Sequence, residues 1–272
     1  FMSSSQTLRK LLPRIAISAI LLVSTATYSS AQAQPSPPHP PQSTEMNRTN
    51  QLAQEAVQRN DYATAYKLYN DNATKGDAFA QNELGQLYYQ GKGVERDYEQ
   101  ARIWFEKAAA QNNVGGQSAL GELYHYGLGV KQNLTQARYW YEKAAAQNDP
   151  TAQFALSLFY LEGNGAPQNH TQAYTWAEKA AQQGLPVAQN LLGIFYLDGI
   201  GVQQSYSQAL YWFEKAAIQN DPDAQYNLGR LYYEGKGVQQ DYAQAHYWLK
   251  KAADQHPWLA DDFLLQLEEA GY

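Results

Sequence analysis

One internal period dominates this chain. Trp104, Trp140, Trp176, Trp212 and Trp248 are spaced 36 residues apart. A glycine pair keeps the same step: Gly91/Gly93, Gly127/Gly129, Gly163/Gly165, Gly199/Gly201 and Gly235/Gly237. Self-similarity at this period marks a stack of short supersecondary units, each unable to bury its apolar face alone.

The unit reads as two helices. Ala224, Leu228, Leu231 and Tyr232 follow i, i+4, i+7, i+8, one face of a 3.6-residue period. Gly235 stops that helix, because a helix end needs a residue that takes positive φ without a Cβ clash. Asp241 is the expected N-cap of the second helix, whose apolar stripe is Ala245, Trp248, Leu249 and Ala252. Gly229, Ala245, Ala252 and Ala253 let the helices approach, and the Trp is expected to fill the space between them. Val238 and its equivalents are expected to plug the gap under the connecting loop. Helices this short need neighbours to be stable.

The pattern A-x-x-x-L-G-x-L-Y-x-x-G-x-G-V…D-Y-x-Q-A-x-x-W-x-x-K-A-A, over about residues 78 to 256, resembles the Sel-1-like repeat, a relative of the tetratricopeptide repeat. The resemblance implies an all-α fold, a right-handed α-solenoid of antiparallel helix pairs with a concave face. It also implies a role as an adaptor in protein assemblies. Some exported members of the family are cysteine-rich and have been linked to β-lactam binding or hydrolysis; this chain has no cysteine and departs from them.

The lack of cysteine excludes disulfides, thiolate catalysis and zinc–thiolate sites. Of the 20 basic side chains, three lie in residues 1–33, leaving 17 basic against 26 acidic and a net charge of −9. Such a balance, without basic runs, argues against nucleic acid. Arg9, Lys10 and Arg14, the apolar run Ile15 to Val23, and Ala31-Gln32-Ala33 have the anatomy of a cleaved signal peptide over 1–33. The mature protein is then expected to be periplasmic or secreted, without an integral membrane anchor, and monomeric. Residues 34–45 form a proline-rich linker. Residues 46–76 form a degenerate leading pair, in which Leu68 stands in the Trp position. Repeats occupy 77–256, and an apolar-striped helix over 257–272 is expected to cap the stack.

Repeat three departs from the others. Ser157 replaces the first-helix glycine, and Ala177 stands where Phe105, Tyr141 and Phe213 occur. A local loosening of the layer is expected, or compensation by Tyr174.

No catalytic, cofactor or metal constellation is evident. The G-x-G pairs follow helices, so they are turn glycines and not a dinucleotide loop. His39, His125, His170, His246 and His256 occupy different phases of the repeat. The repeated Glu-Lys pairs read as a solvated face. The positions that vary between repeats carry the functional reading. In the first helix of each unit, three columns at i, i+4, i+7 share one stripe. They are Asn82, Ser118, Phe154, Asn190, Tyr226; then Gln86, Glu122, Leu158, Ile194, Arg230; then Tyr89, His125, Leu161, Leu197, Tyr233. The stripe is expected to face outward into the concave groove. Phe154, Leu158, Leu161, Ile194 and Leu197, with Tyr226, Arg230 and Tyr233, would then seat a protein or peptide. Burial of these residues between neighbouring first helices is the opposing possibility. A β-lactam-acting envelope protein and a secreted effector binding a host protein are the alternative functions.

Overall fold

The structure, a computed structural model, describes residues 44–272. The described residues form thirteen α-helices and one 3-10 turn, with no strand among them. The signal-peptide segment and most of the linker lie outside the described residues.

Two compact units divide the chain, at Ala152 and Gln153. The first holds α1 (Thr44–Gln58), α2 (Tyr62–Thr74), α3 (Ala78–Gln90), α4 (Tyr98–Ala110), α5 (Val114–Tyr126) and α6 (Leu134–Ala146). Helix α7 (Pro150–Glu162) runs from it into the second, which holds α8 (His170–Gln182), α9 (Pro186–Asp198), α10 (Tyr206–Ala217), α11 (Pro222–Glu234), α12 (Tyr242–Gln255) and α13 (Asp261–Glu269). Within each unit, consecutive helices pack as antiparallel pairs in a solenoid. The odd-numbered helices from α3 to α11 are the first helices of repeats one to five, and the even-numbered ones from α4 to α12 are their partners.

The repeated polar residues explain the boundaries. Asp97, Asn133, Asn169, Ser205 and Asp241 each accept a first-turn backbone N–H, so every second helix is capped. Gly91, Gly127, Gly199 and Gly235 end first helices in the left-handed region at φ 66 to 70°. The following glycine meets a different constraint. A Cβ on Gly201 would lie 2.1 Å from the carbonyl oxygen of His170, so only glycine lets that loop rest on the preceding second helix.

The packing inside a pair corrects one expectation. The five Trp of the ladder are only partly buried. In four of the five repeats the residue after the Trp fills the interior: Phe105, Phe213 and Leu249 are fully buried and Tyr141 is 4% exposed. A Cβ on the opposing glycine would lie 2.5 Å from the Phe213 ring at Gly193, and 2.7 Å from Leu249 at Gly229. One step in sequence turns the side chain by 100°, from the interior to its margin. The Trp therefore covers the seam. Lys107 and Lys179 sit 4.0 and 4.3 Å over the rings of Trp104 and Trp176.

Candidate interaction face

The first-helix stripe is mostly covered. Phe154 is 3% exposed, Leu161 2%, Ile194 3% and Leu197 6%. The expectation that these four face outward is therefore overturned. Leu158, Tyr226, Arg230 and Tyr233 are partly exposed. The reason for the burial is visible where the columns carry polar groups. Tyr89 Oη donates to Glu122 Oε1 at 2.6 Å, which joins α3 to α5. Tyr233 Oη donates to Gln266 Oε1 at 3.1 Å, which joins α11 to α13. In both, the third column of one first helix meets the second column of the next, 33 residues on. Within each unit the stripe is thus the contact between successive first helices.

Helix α13 occupies the first-helix position one step beyond repeat five. Ala260, just ahead of it, and its Leu267 are buried, as are Ala224 and Leu231 in the equivalent places. Phe263 packs edge-on against Tyr226 and Tyr233, with centroids 6.0 and 5.2 Å apart. The aromatic pair expected to seat a partner is therefore partly occupied by the chain's own last helix.

At the margin of the stripe in the second unit stands a polar group. Arg230 Nε lies 3.6 Å from Glu234 Oε1, outside hydrogen-bond range. Neither Arg230 Nε nor Asp198 Oδ2 has a hydrogen-bond partner, although both atoms are buried. Burial pushes the Asp198 carboxyl above its usual range, and Arg230 and Lys236 oppose that shift.

Two features escaped the sequence reading. A glutamine pair recurs in every repeat: Gln111 to Gln81, Gln147 to Gln117, Gln183 to Gln153, Gln219 to Gln189 and Gln255 to Gln225, with Nε2 to Oε1 distances of 2.7 to 2.9 Å. The signal was present as two glutamine columns 36 residues apart in step. The second feature lies on the second helices. Tyr139, Tyr211 and Tyr247 are 46 to 49% exposed, and each packs edge-on against the next residue, Trp140, Trp212 or Trp248. Of the histidines, His125 is stacked on Tyr126 at 4.3 Å and held below its usual pKa by burial. No group of three or more His, Cys, Asp or Glu among the described residues could hold a metal ion. No described helix is long and apolar enough to cross a membrane.

The profile of the Sel1 repeat matches residues 78–113, 115–149, 150–185, 186–221 and 222–257. The chain belongs to the Sel1 repeat family. A protective antigen of uropathogenic Escherichia coli with this repeat fold is 33% identical, with a TM-score of 0.76; the match covers 84% of this chain and 50% of that one. This chain thus spans half the length of that Sel1 protein. A Sel1 repeat protein from Oxalobacter formigenes is 31% identical over 79% of this chain and 86% of its own, with a TM-score of 0.74. An immunity protein from Pseudomonas aeruginosa, 19% identical over 79% of this chain and 83% of its own with a TM-score of 0.50, shares the fold. No curated protein sequence matches the chain.

Proposed function

We propose that this Sel1 repeat protein is a non-enzymatic scaffold, exported from the cytoplasm, that holds a protein or peptide segment against the first-helix margin of repeats three to five. One observation carries the reading: Arg230 Nε, ion-paired at 3.6 Å with Glu234, and Asp198 Oδ2 are buried atoms without hydrogen-bond partners, and Arg230 shares helix α11 with the partly exposed Tyr226 and Tyr233. Buried polar atoms of this kind are costly unless something bonds them. A polypeptide supplies both an acceptor for the guanidinium N–H and a donor for the carboxylate. Arg and Tyr are also side chains that commonly anchor interfaces. The export reading rests on the sequence of residues 1–33 alone.

The test is a photo-crosslinking amino acid placed at Leu158 in cells, with Tyr211 on the second-helix face as comparison. The expected result is one defined crosslinked protein from position 158, lost when Arg230→Glu is added. Equal labelling from both positions, or labelling that ignores Arg230→Glu, overturns the assignment. Localisation is read separately, from N-terminal sequencing of the mature protein in periplasmic and medium fractions.

A further inference from the structure

Glu122 is the only carboxylate in the second column of the stripe, where the other repeats carry Gln86, Leu158, Ile194 and Arg230. It is 6% exposed. Its hydrogen bond from Tyr89 crosses from repeat one to repeat two, so the carboxyl lies in the joint between two first helices. The groups around that joint are phenols, an imidazole and a second carboxylate. Tyr98, on α4, packs on Tyr89 at 5.3 Å. Tyr141, on α6, and Asp149, ahead of α7, face the same region, and Glu122 and Asp149 both act on Tyr141. His125 and Tyr126 follow on α5 itself, with His125 6.4 Å from Tyr141. No ion pair of the described residues includes Glu122.

An ionised carboxylate in this place would have a phenol for a donor and no counter-charge. A buried charge without a counter-charge is strongly unfavourable, so the neutral acid is favoured. Burial accordingly raises the carboxyl to about 7, against the opposing effect of the Tyr89 bond.

We propose that Glu122 is a protonation lock on the joint between repeats one and two. Neutral, it lets α3 and α5 close on each other through Tyr89. Ionised, with its proton released to solvent, it draws water into the contact and loosens the first-helix face at that joint. The lock does not depend on the scaffold reading. It would change the surface of the first unit across neutral pH without any ligand.

The test uses the full chain. The side-chain carboxyl carbon of Glu122 is followed by NMR from pH 4 to pH 9, and amide hydrogen exchange is read in α3 and α5 over the same range. The expected carboxyl midpoint lies near 7. Protection in α3 and α5, corrected for the intrinsic pH dependence of exchange, falls several-fold above it. Glu122→Gln keeps protection in α5 constant with pH, and α5 is the deciding helix because α3 also carries Glu83, whose carboxyl burial raises to about 7. Glu122→Leu, which places here the residue repeat three uses, serves if the glutamine variant does not fold. A midpoint below 5 overturns the lock, as does a protection profile shared by the wild type and the folded variant.

Discussion

Ser157 Oγ donates to the carbonyl oxygen of Ala173 at 2.7 Å. In the other repeats this first-helix position is glycine, and its partner one residue past the Trp is large: Phe105, Tyr141, Phe213 or Leu249. Repeat three exchanges the sizes, with Ser157 against a second helix that carries Ala177. Both are fully buried, so the layer remains closed and the expected loosening is not found. Ala177→Phe alone should cost about 1–3 kcal/mol, the usual penalty of overpacking. Adding Ser157→Gly should recover part of that loss, and a double-mutant cycle in urea reads the coupling. Additive effects would mean that the two positions do not share a space.

The residue beside the Trp should matter more than the Trp. Phe213 is fully buried, whereas Trp212 is partly exposed. Phe213→Ala should destabilise by about 3–5 kcal/mol. Trp212→Ala removes a half-covered ring, and about 1–2 kcal/mol is expected from the smaller apolar area returned to water. Thermal unfolding of the two variants gives the order directly.

Gln189 holds two elements together. Its Nε2 donates to the Ala181 carbonyl at 3.2 Å, and its Oε1 accepts from Gln219 at 2.8 Å. Gln189→Leu keeps the volume but removes both bonds, at about 1–3 kcal/mol for the two together, while Gln219 Nε2 keeps the Gly184 and Lys215 carbonyls and the Ala181 carbonyl keeps the Gly184 N–H. The effect should be strongest in α8 to α10, because solenoid stability is summed over neighbours. Hydrogen exchange resolves the location.

Asp221 caps α11, accepting from Ala224 N–H at 2.7 Å, yet it is 8% exposed. Burial raises its carboxyl to about 7 against the lowering effect of the Ala224 and Asp223 N–H bonds, and the Asp223 charge adds to the rise. The folded state then binds more protons than the unfolded state between about pH 4 and pH 7, so stability declines as pH rises through that window. Asn113 fills the equivalent cap in repeat two, accepting from Gly116 N–H. Asp221→Asn should keep the cap and remove this contribution. It should raise stability at pH 7.5 by on the order of 1 kcal/mol and change it little at pH 4. An unchanged slope of melting temperature against pH, in wild type and variant alike, would count against a raised Asp221.

The repeated residues carried the local structure because each acts within a few residues of itself. An Asp or Asn accepts from the next turn, a glycine takes positive φ, and an apolar residue every third or fourth position makes a face. Helix boundaries, pairing and the family could be read from those alone. Residues 154, 161, 194 and 197 were a different matter. Their columns are opposite the pair interior, and periodicity cannot say whether a next helix covers that side. Only the rotation between successive repeats decides it, as the bonds from Tyr89 to Glu122 and from Tyr233 to Gln266 reveal. The Trp differs from expectation for a related reason: hydrophobicity marks it as core, but 100° of helix rotation gives the interior to its neighbour. What lies within one turn of helix was written in the chain; which surface remains open depended on how one helix pair leans on the next.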